Sequence, residues 1–110
     1  MGRTCAMAGI IAITLAGSVS AQEVDARTIL PYANAWVSCT LAKADSFALQ
    51  PEPIETIIVA IFAACSEVEQ ELIKAIGRAG LASQKDEILR DAHKTAVQEL
   101  TLEILKKRAQ

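Results

Sequence analysis

Apolar residues recur along this chain with the three-to-four-residue spacing of helices, not with the two-residue alternation of half-buried strands. The helical spacing is sustained over three segments, and it predicts helices over about residues 28–49, 53–76 and 83–108. No segment shows a sustained alternation of apolar and polar side chains. The pattern therefore predicts an all-α fold.

Proline, glycine and serine mark the predicted helix boundaries. Pro51 and Pro53 end the first helix, because proline lacks an amide hydrogen and restricts the residue before it. Gly77 and Gly80 supply a stop signal for the second helix. Ser83 is a favourable N-cap for the third helix. These signals predict three helices joined by two short turns.

The most apolar part of the chain lies in the second predicted helix, where residues 57–65 carry no polar side chain. A membrane span needs about 20 apolar residues, so this run is too short to be one. On a helical wheel, the apolar residues of this helix form one stripe about 100° wide. The stripe consists of Ile54, Ile57, Ile58, Ile61, Cys65, Val68, Leu72 and Ile76. The segment is therefore predicted to be the central core helix.

Two of the three cysteines lie in the predicted helices, and Cys39 and Cys65 are equally distant from Glu52 in the first turn. If the chain reverses direction at that turn, the two thiols come opposite each other. We therefore expect a small three-helix bundle built on an antiparallel αα-hairpin with a Cys39–Cys65 disulfide. The alternatives are a zinc site, which needs four ligands, and a redox-active pair, which needs Cys-x-x-Cys spacing. The sequence of this region offers neither arrangement.

Residues 1–21 have the layout of a secretory signal peptide. Arg3 supplies the positive start, a run of apolar or small residues follows from position 5 to position 17, and Val19 and Ala21 are small residues before a cleavage site. An uncleaved N-terminal anchor is the alternative, although the apolar run is short for a span. A lipoprotein is disfavoured because no cysteine lies at the cleavage site. We expect residues 22–110 to form one exported domain, periplasmic or extracellular.

The net charge of the chain argues against one class of partner. The formal net charge of the whole chain is −2, and removing residues 1–21 takes away one basic side chain, Arg3, and no acidic one, which leaves −3. Nucleic-acid-binding domains concentrate positive charge on one face, so the composition argues against a nucleic-acid partner. After signal cleavage, the sequence also predicts no membrane span.

Catalytic and cofactor motifs are missing from the sequence, which has no Gly-rich phosphate loop, no Gly-x-Ser-x-Gly elbow, no His-Glu-x-x-His and no calcium loop. Glu67, Glu69 and Glu71 form an acidic series, but residues two apart on a helix point in different directions, so we expect a solvated face. Tyr32 and Trp36, one turn apart, are expected to pack in the core and not to contact a ligand. We therefore predict no enzymatic activity, no cofactor and no metal site.

Apolar side chains outside the core stripes predict an interaction surface. One helical neighbour cannot cover all of these apolar side chains, which include Val37, Leu41, Val59 and Phe62. A small domain also buries a lower fraction of its surface than a large one. The third helix is expected to cover one flank. The apolar surface left over is expected to contact a protein partner or a second copy.

These features predict a small exported non-enzymatic protein that binds another protein. The alternative is an acid-responsive periplasmic chaperone, because His93 lies on the apolar stripe of the third helix and histidine titrates near neutral pH. A half-buried histidine bonded to a neighbouring group explains the same position without a sensing role. A small enzyme is the third class. In size and compartment, a short exported helical chain with one disulfide is similar to periplasmic acid-stress chaperones and to periplasmic inhibitor or immunity proteins.

The cleavage site can be tested directly. We predict that the mature protein begins at Gln22, because Val19 and Ala21 satisfy the small-residue requirement before the cut. Amino-terminal sequencing of the protein purified from the envelope fraction checks this. A sequence that begins at Met1 would refute the signal peptide.

Overall fold

The structure is a computed structural model that describes the backbone of residues 16–110 and the side chains of residues 27–110. The predicted signal peptide, residues 1–21, lies outside the part of the chain whose side chains are described. Four α-helices follow one another: α1 (Ala16–Phe47), α2 (Ile54–Ala64), α3 (Ser66–Arg78) and α4 (Lys85–Arg108), with a short 3₁₀ turn at Ala82–Gln84 before α4. No strand occurs among the described residues. The all-α prediction is confirmed.

Helix α1 is longer than the sequence predicts. It begins at Ala16, well before the expected start at about residue 28, and Pro31 lies inside it. A single proline removes one backbone hydrogen bond and bends a helix, and it need not end one. The break near Pro51 and Pro53 is of a different kind, because two prolines within three residues remove two donors from one turn.

The second predicted helix, residues 53–76, is two helices in the structure. Cys65 separates α2 from α3 with backbone angles φ −104° and ψ 17°, outside the helical region. Its amide donates to the carbonyls of Ile61 (3.1 Å) and Phe62 (3.2 Å), and its own carbonyl accepts from the amide of Glu69 (3.0 Å). The hydrogen bonds therefore continue through the break between the two helices. Helix α3 packs mainly on α1, whereas α2 contacts both α1 and α4.

The disulfide fixes the relative direction of the first two arms. Cys39 of α1 and Cys65 are bonded, with their Cα atoms 6.0 Å apart, so the predicted bridge is confirmed. Farther along, the guanidinium of Arg78 lies 5.2 Å from the centre of the Tyr32 ring. From the first contact to the second, the residue number increases from 65 to 78 on the α3 side and decreases from 39 to 32 on α1. The two helices are therefore antiparallel.

Helix α4 runs parallel to α1. Near its start, the His93 ring lies 5.4 Å from the Trp36 ring. Near its end, Arg108 reaches the carbonyl of Ala48, just past α1. The core lies where α4 covers the two arms, and its most deeply buried large side chains are Ile57, Ile61, Cys65, Ile76, Leu100 and Ile104.

Arg108 ties the end of α4 to the turn between α1 and α2. Its Nε donates to the carbonyl of Ala48 (2.8 Å), and its terminal nitrogen donates to the carbonyls of Gln50 and Glu52, both at 2.7 Å. The planar guanidinium suits several acceptors at once. Beside it, the Lys107 ammonium donates to the Asp45 carboxylate. This hydrogen bond and the attraction to the carboxylate raise the pKa of Lys107 above its ordinary value.

The turn between α3 and α4 uses glycine as predicted, but not serine. Gly80 has φ +82°, the left-handed region that favours glycine, and the amide of Leu81 donates to the carbonyl of Ile76 (3.1 Å). Ser83 lies in the 3₁₀ turn, and the N-cap of α4 is Gln84 without a side-chain cap. The expected Ser83 cap is therefore wrong, because the 3₁₀ turn moves the helix start beyond it.

The disulfide should dominate the stability of this small fold. Replacing Cys39 and Cys65 together by alanine should lower the free energy of unfolding by roughly 3.5 kcal/mol, because the bridge closes a loop with a sequence separation of 26 and removes that entropy from the unfolded chain. Urea unfolding followed by circular dichroism measures the difference. In parallel, mass spectrometry after alkylation of denatured, unreduced wild-type protein should find no label on either residue, and label there would refute the bridge.

Candidate protein-binding grooves on either side of helix α4

An apolar groove, the α1–α4 groove, runs between the two parallel helices. It encloses about 330 Å³. The residues that line it are Ala33, Trp36, Val37, Thr40 and Leu41 of α1, Leu72 of α3, and Asp91, Ala92, Thr95, Ala96, Glu99 and Leu100 of α4. Most of these side chains are apolar, so the groove offers the kind of surface that proteins use for contacts.

Side-chain size creates this groove. Ala33, Ala92 and Ala96 are too short to fill the space between α1 and α4. Val37 and Leu41 stand on one wall and keep 38% and 40% of their surface exposed. The groove is thus an apolar recess with an aliphatic wall that remains accessible.

Two carboxylates occupy the α4 wall of the groove. Asp91 and Glu99 both line it, and their separation of eight residues corresponds to about 12 Å along a helix. No ion pair joins either of them to a basic side chain within residues 27–110. Two basic side chains at the end of α4 are engaged elsewhere, Lys107 with Asp45 and Arg108 with backbone carbonyls. The groove therefore combines apolar walls with local negative charge.

A second apolar groove, the α2–α4 groove, lies on the other side of α4. It encloses about 470 Å³ and is lined by Ile54, Glu55, Ile58, Val59 and Phe62 of α2 and by Val97 and Thr101 of α4. Val59 is the most exposed of its apolar residues, with 68% of its surface accessible. Glu55 is its one charged lining residue. This groove encloses a larger volume than the α1–α4 groove and is lined by fewer charged residues.

The four residues predicted as an interface are divided between these grooves. Val37 and Leu41 line the α1–α4 groove, while Val59 and Phe62 line the α2–α4 groove, and the two grooves share no lining residue. Phe62 is also half-buried against the core, with its ring centre 5.7 Å from that of Trp36. The structure therefore brings the residues together as two pairs and not as one patch.

His93 lies in an aromatic cluster at the junction of three helices. Its ring centre is 4.9 Å from that of Phe62 and 5.4 Å from that of Trp36. Its Nε2 lies 3.1 Å from Oε1 of Glu69 on α3. The half-buried histidine bonded to an acidic neighbour is thus what the structure shows, and it links α3 to α4.

The acidic series on α3 does not converge. Glu67 and Glu71 line a recess beside Tyr32, between α1 and α3, where Glu71 pairs with Lys74 at 3.2 Å. Glu69 turns the other way, to His93. Within the described residues, no group of histidine, cysteine, aspartate and glutamate is arranged to hold a metal ion.

Tyr32 and Trp36 have separate environments. Trp36 is 2% exposed in the core, and its Nε1 has no acceptor within the described part of the chain. Tyr32 is half-buried and lies under the Arg78 guanidinium. The two rings therefore do not form a shared aromatic surface.

Sequence reasoning missed Asp91 and Glu99 as members of a site. Their spacing places them on neighbouring parts of one helix face, which was the available signal. That signal could not show that an apolar wall of α1 stands opposite them. The groove arises only from the parallel packing of α1 and α4.

None of the helices in the described range is long and apolar enough to cross a membrane. No protein-family model, no curated protein and no solved structure matches this chain.

Proposed function

We propose that this chain is a small exported, non-enzymatic protein that binds another protein through the α1–α4 groove. The observation that supports the proposal is the groove itself. It is apolar, lined by the exposed Val37 and Leu41, and carries Asp91 and Glu99 on its opposite wall. Helix-in-groove contacts use such surfaces, with apolar anchors in the recess and polar contacts at the edge.

In this proposal the functional unit is residues 22–110, a three-helix bundle in which α2 and α3 together form the second arm. The Cys39–Cys65 disulfide supports a periplasmic or extracellular location, because such bonds persist outside the reducing cytosol. The bridge also supports a binding role, since a braced scaffold loses little conformational freedom when a partner binds.

The groove assignment is tested with two matched double variants. Val37→Gln/Leu41→Gln replaces the exposed aliphatic wall of the α1–α4 groove, and Val59→Gln/Val97→Gln makes the same kind of change in the α2–α4 groove. The first variant should weaken partner binding by about tenfold or more, because each apolar side chain that a partner buries stabilises by about 1.5–3 kcal/mol. The second should leave binding unchanged.

The measurement is recovery of a partner that is identified by mass spectrometry after pull-down from the protein's own envelope fraction. Circular dichroism should show equal helix content for all three proteins. Loss of the partner only in Val59→Gln/Val97→Gln would move the interface to the α2–α4 groove. A protein that stays monomeric and captures nothing would contradict the proposed function.

A second candidate, the acid-responsive chaperone, is favoured by one contact. His93 and Glu69 form a pair over the Phe62 and Trp36 rings that joins α3 to α4. Strong acid protonates carboxylates in general, and pairs that depend on a carboxylate are weakened as a result. Loss of the pair would then loosen α4 and expose apolar surface.

This second candidate predicts that binding of an apolar dye and suppression of aggregation both rise between neutral and strongly acidic pH. Glu69→Ala should show raised dye binding already at neutral pH, because the acceptor for His93 is absent. Glu67→Ala is the control, since Glu67 lies on the same helix and does not contact His93. Equal dye binding at both pH values in the wild-type protein would rule this candidate out.

A further inference from the structure

The α1–α4 groove carries information about its occupant beyond its apolar character. Its most buried lining residues are Trp36, Leu72 and Leu100, short alanine side chains leave space above them, and its accessible wall is formed by Val37 and Leu41. A recess of this shape between two parallel helices accepts the side-chain ridge of a third helix, whose apolar residues recur at i, i+3 or i+4, and i+7. The geometry thus favours an amphipathic helix over an extended segment.

The negative charge on the groove wall favours amphipathic helices that carry positive charge. Asp91 and Glu99 lie on the α4 wall without an ion-pair partner in the part of the chain that the structure describes. Arg90 and Lys94, although close in sequence, do not line the groove. A partner that presents basic side chains gains attraction here and is steered towards the groove, whereas an acidic partner is repelled.

The same charge argues against a second copy of this chain in this groove. A two-fold contact places identical surfaces against each other. It would bring two copies of Asp91 and Glu99 towards one another, in a chain whose net charge is already −2. Like charges at an interface disfavour the complex.

We propose that the α1–α4 groove receives a basic amphipathic helix of a partner protein. Its apolar side chains pack on Val37, Leu41 and Ala96, and two of its lysine or arginine side chains pair with Asp91 and Glu99. Because these carboxylates are about 12 Å apart along α4, the two basic residues are seven or eight positions apart on a helix that lies along the groove. This inference rests on the proposed function and adds the chemistry of the partner.

The test uses two synthetic helical peptides that share one apolar stripe, one with lysines spaced eight residues apart on the edges of the stripe and one with glutamates in their place. Binding to the full mature protein is measured by calorimetry at low and at physiological salt. The lysine peptide should bind, more weakly at higher salt, and the glutamate peptide should bind at least about tenfold more weakly. Equal affinities for the two peptides would overturn the proposal.

The carboxylates are tested by Asp91→Asn/Glu99→Gln, which should weaken binding of the lysine peptide by about tenfold and reduce its salt dependence. The matched control is Glu52→Gln/Glu67→Gln, which removes the same net charge from exposed positions outside the groove and should change the affinity by less than about twofold. Equal losses in both variants would show that only net charge matters and would refute a site at the groove.

Two outcomes separate the failure of this inference from the failure of the proposed function. If Val37→Gln/Leu41→Gln abolishes capture of the natural partner and Asp91→Asn/Glu99→Gln does not weaken it, the groove binds a protein but the basic helix is wrong. If sedimentation shows a dimer that Val37→Gln/Leu41→Gln dissociates, the occupant is a second copy and the inference is likewise overturned.

Discussion

The Cys39–Cys65 disulfide joins helix α1 to the junction between helices α2 and α3. Cys65 is fully buried and lies between α2 and α3, where the backbone leaves the helical region. Its bond to Cys39 anchors this junction on α1, against which both α2 and α3 pack. A chain of this length has a small core, so a covalent anchor at the junction adds stability that packing alone would supply only weakly. Helix α1 forms one wall of the α1–α4 groove, and α2 forms one wall of the α2–α4 groove.

The position of α4 then decides which apolar surface is covered. Its buried residues Ala96, Leu100 and Ile104 complete the core, and its two flanks leave one groove against α1 and another against α2. At the far end, Arg108 and Lys107 hold α4 in register with α1. The depth of the α1–α4 groove follows from alanines on both helices, since longer side chains at positions 33, 92 and 96 would fill it.

Much of the fold could be predicted from the sequence because it follows from local rules. The helical period gave the all-α class, and the equal distances of Cys39 and Cys65 from the proline turn gave their pairing. The break at Cys65 could not be predicted, because no proline or glycine marks it. The sequence also could not show that Val37 and Leu41 lie in one groove and Val59 and Phe62 in another. Helix α4 lies between the two pairs, and its position is set by packing. Asp91 and Glu99 could not be assigned to a groove from the sequence, because the groove forms only where α1 packs opposite them.

The contacts of Arg108 impose an order on the formation of the structure. The carbonyls that it binds lie 56 to 60 positions earlier in the chain, whereas the two cysteines are separated by 26. Synthesis starts at the amino terminus, so both thiols and helices α1 and α2 are made before Arg108. The guanidinium that binds the first turn is therefore added after them. Loops that are short in sequence also close at a lower entropic cost. Oxidation can thus precede the docking of α4, and the carbonyls of the first turn stay hydrated until the last helix arrives.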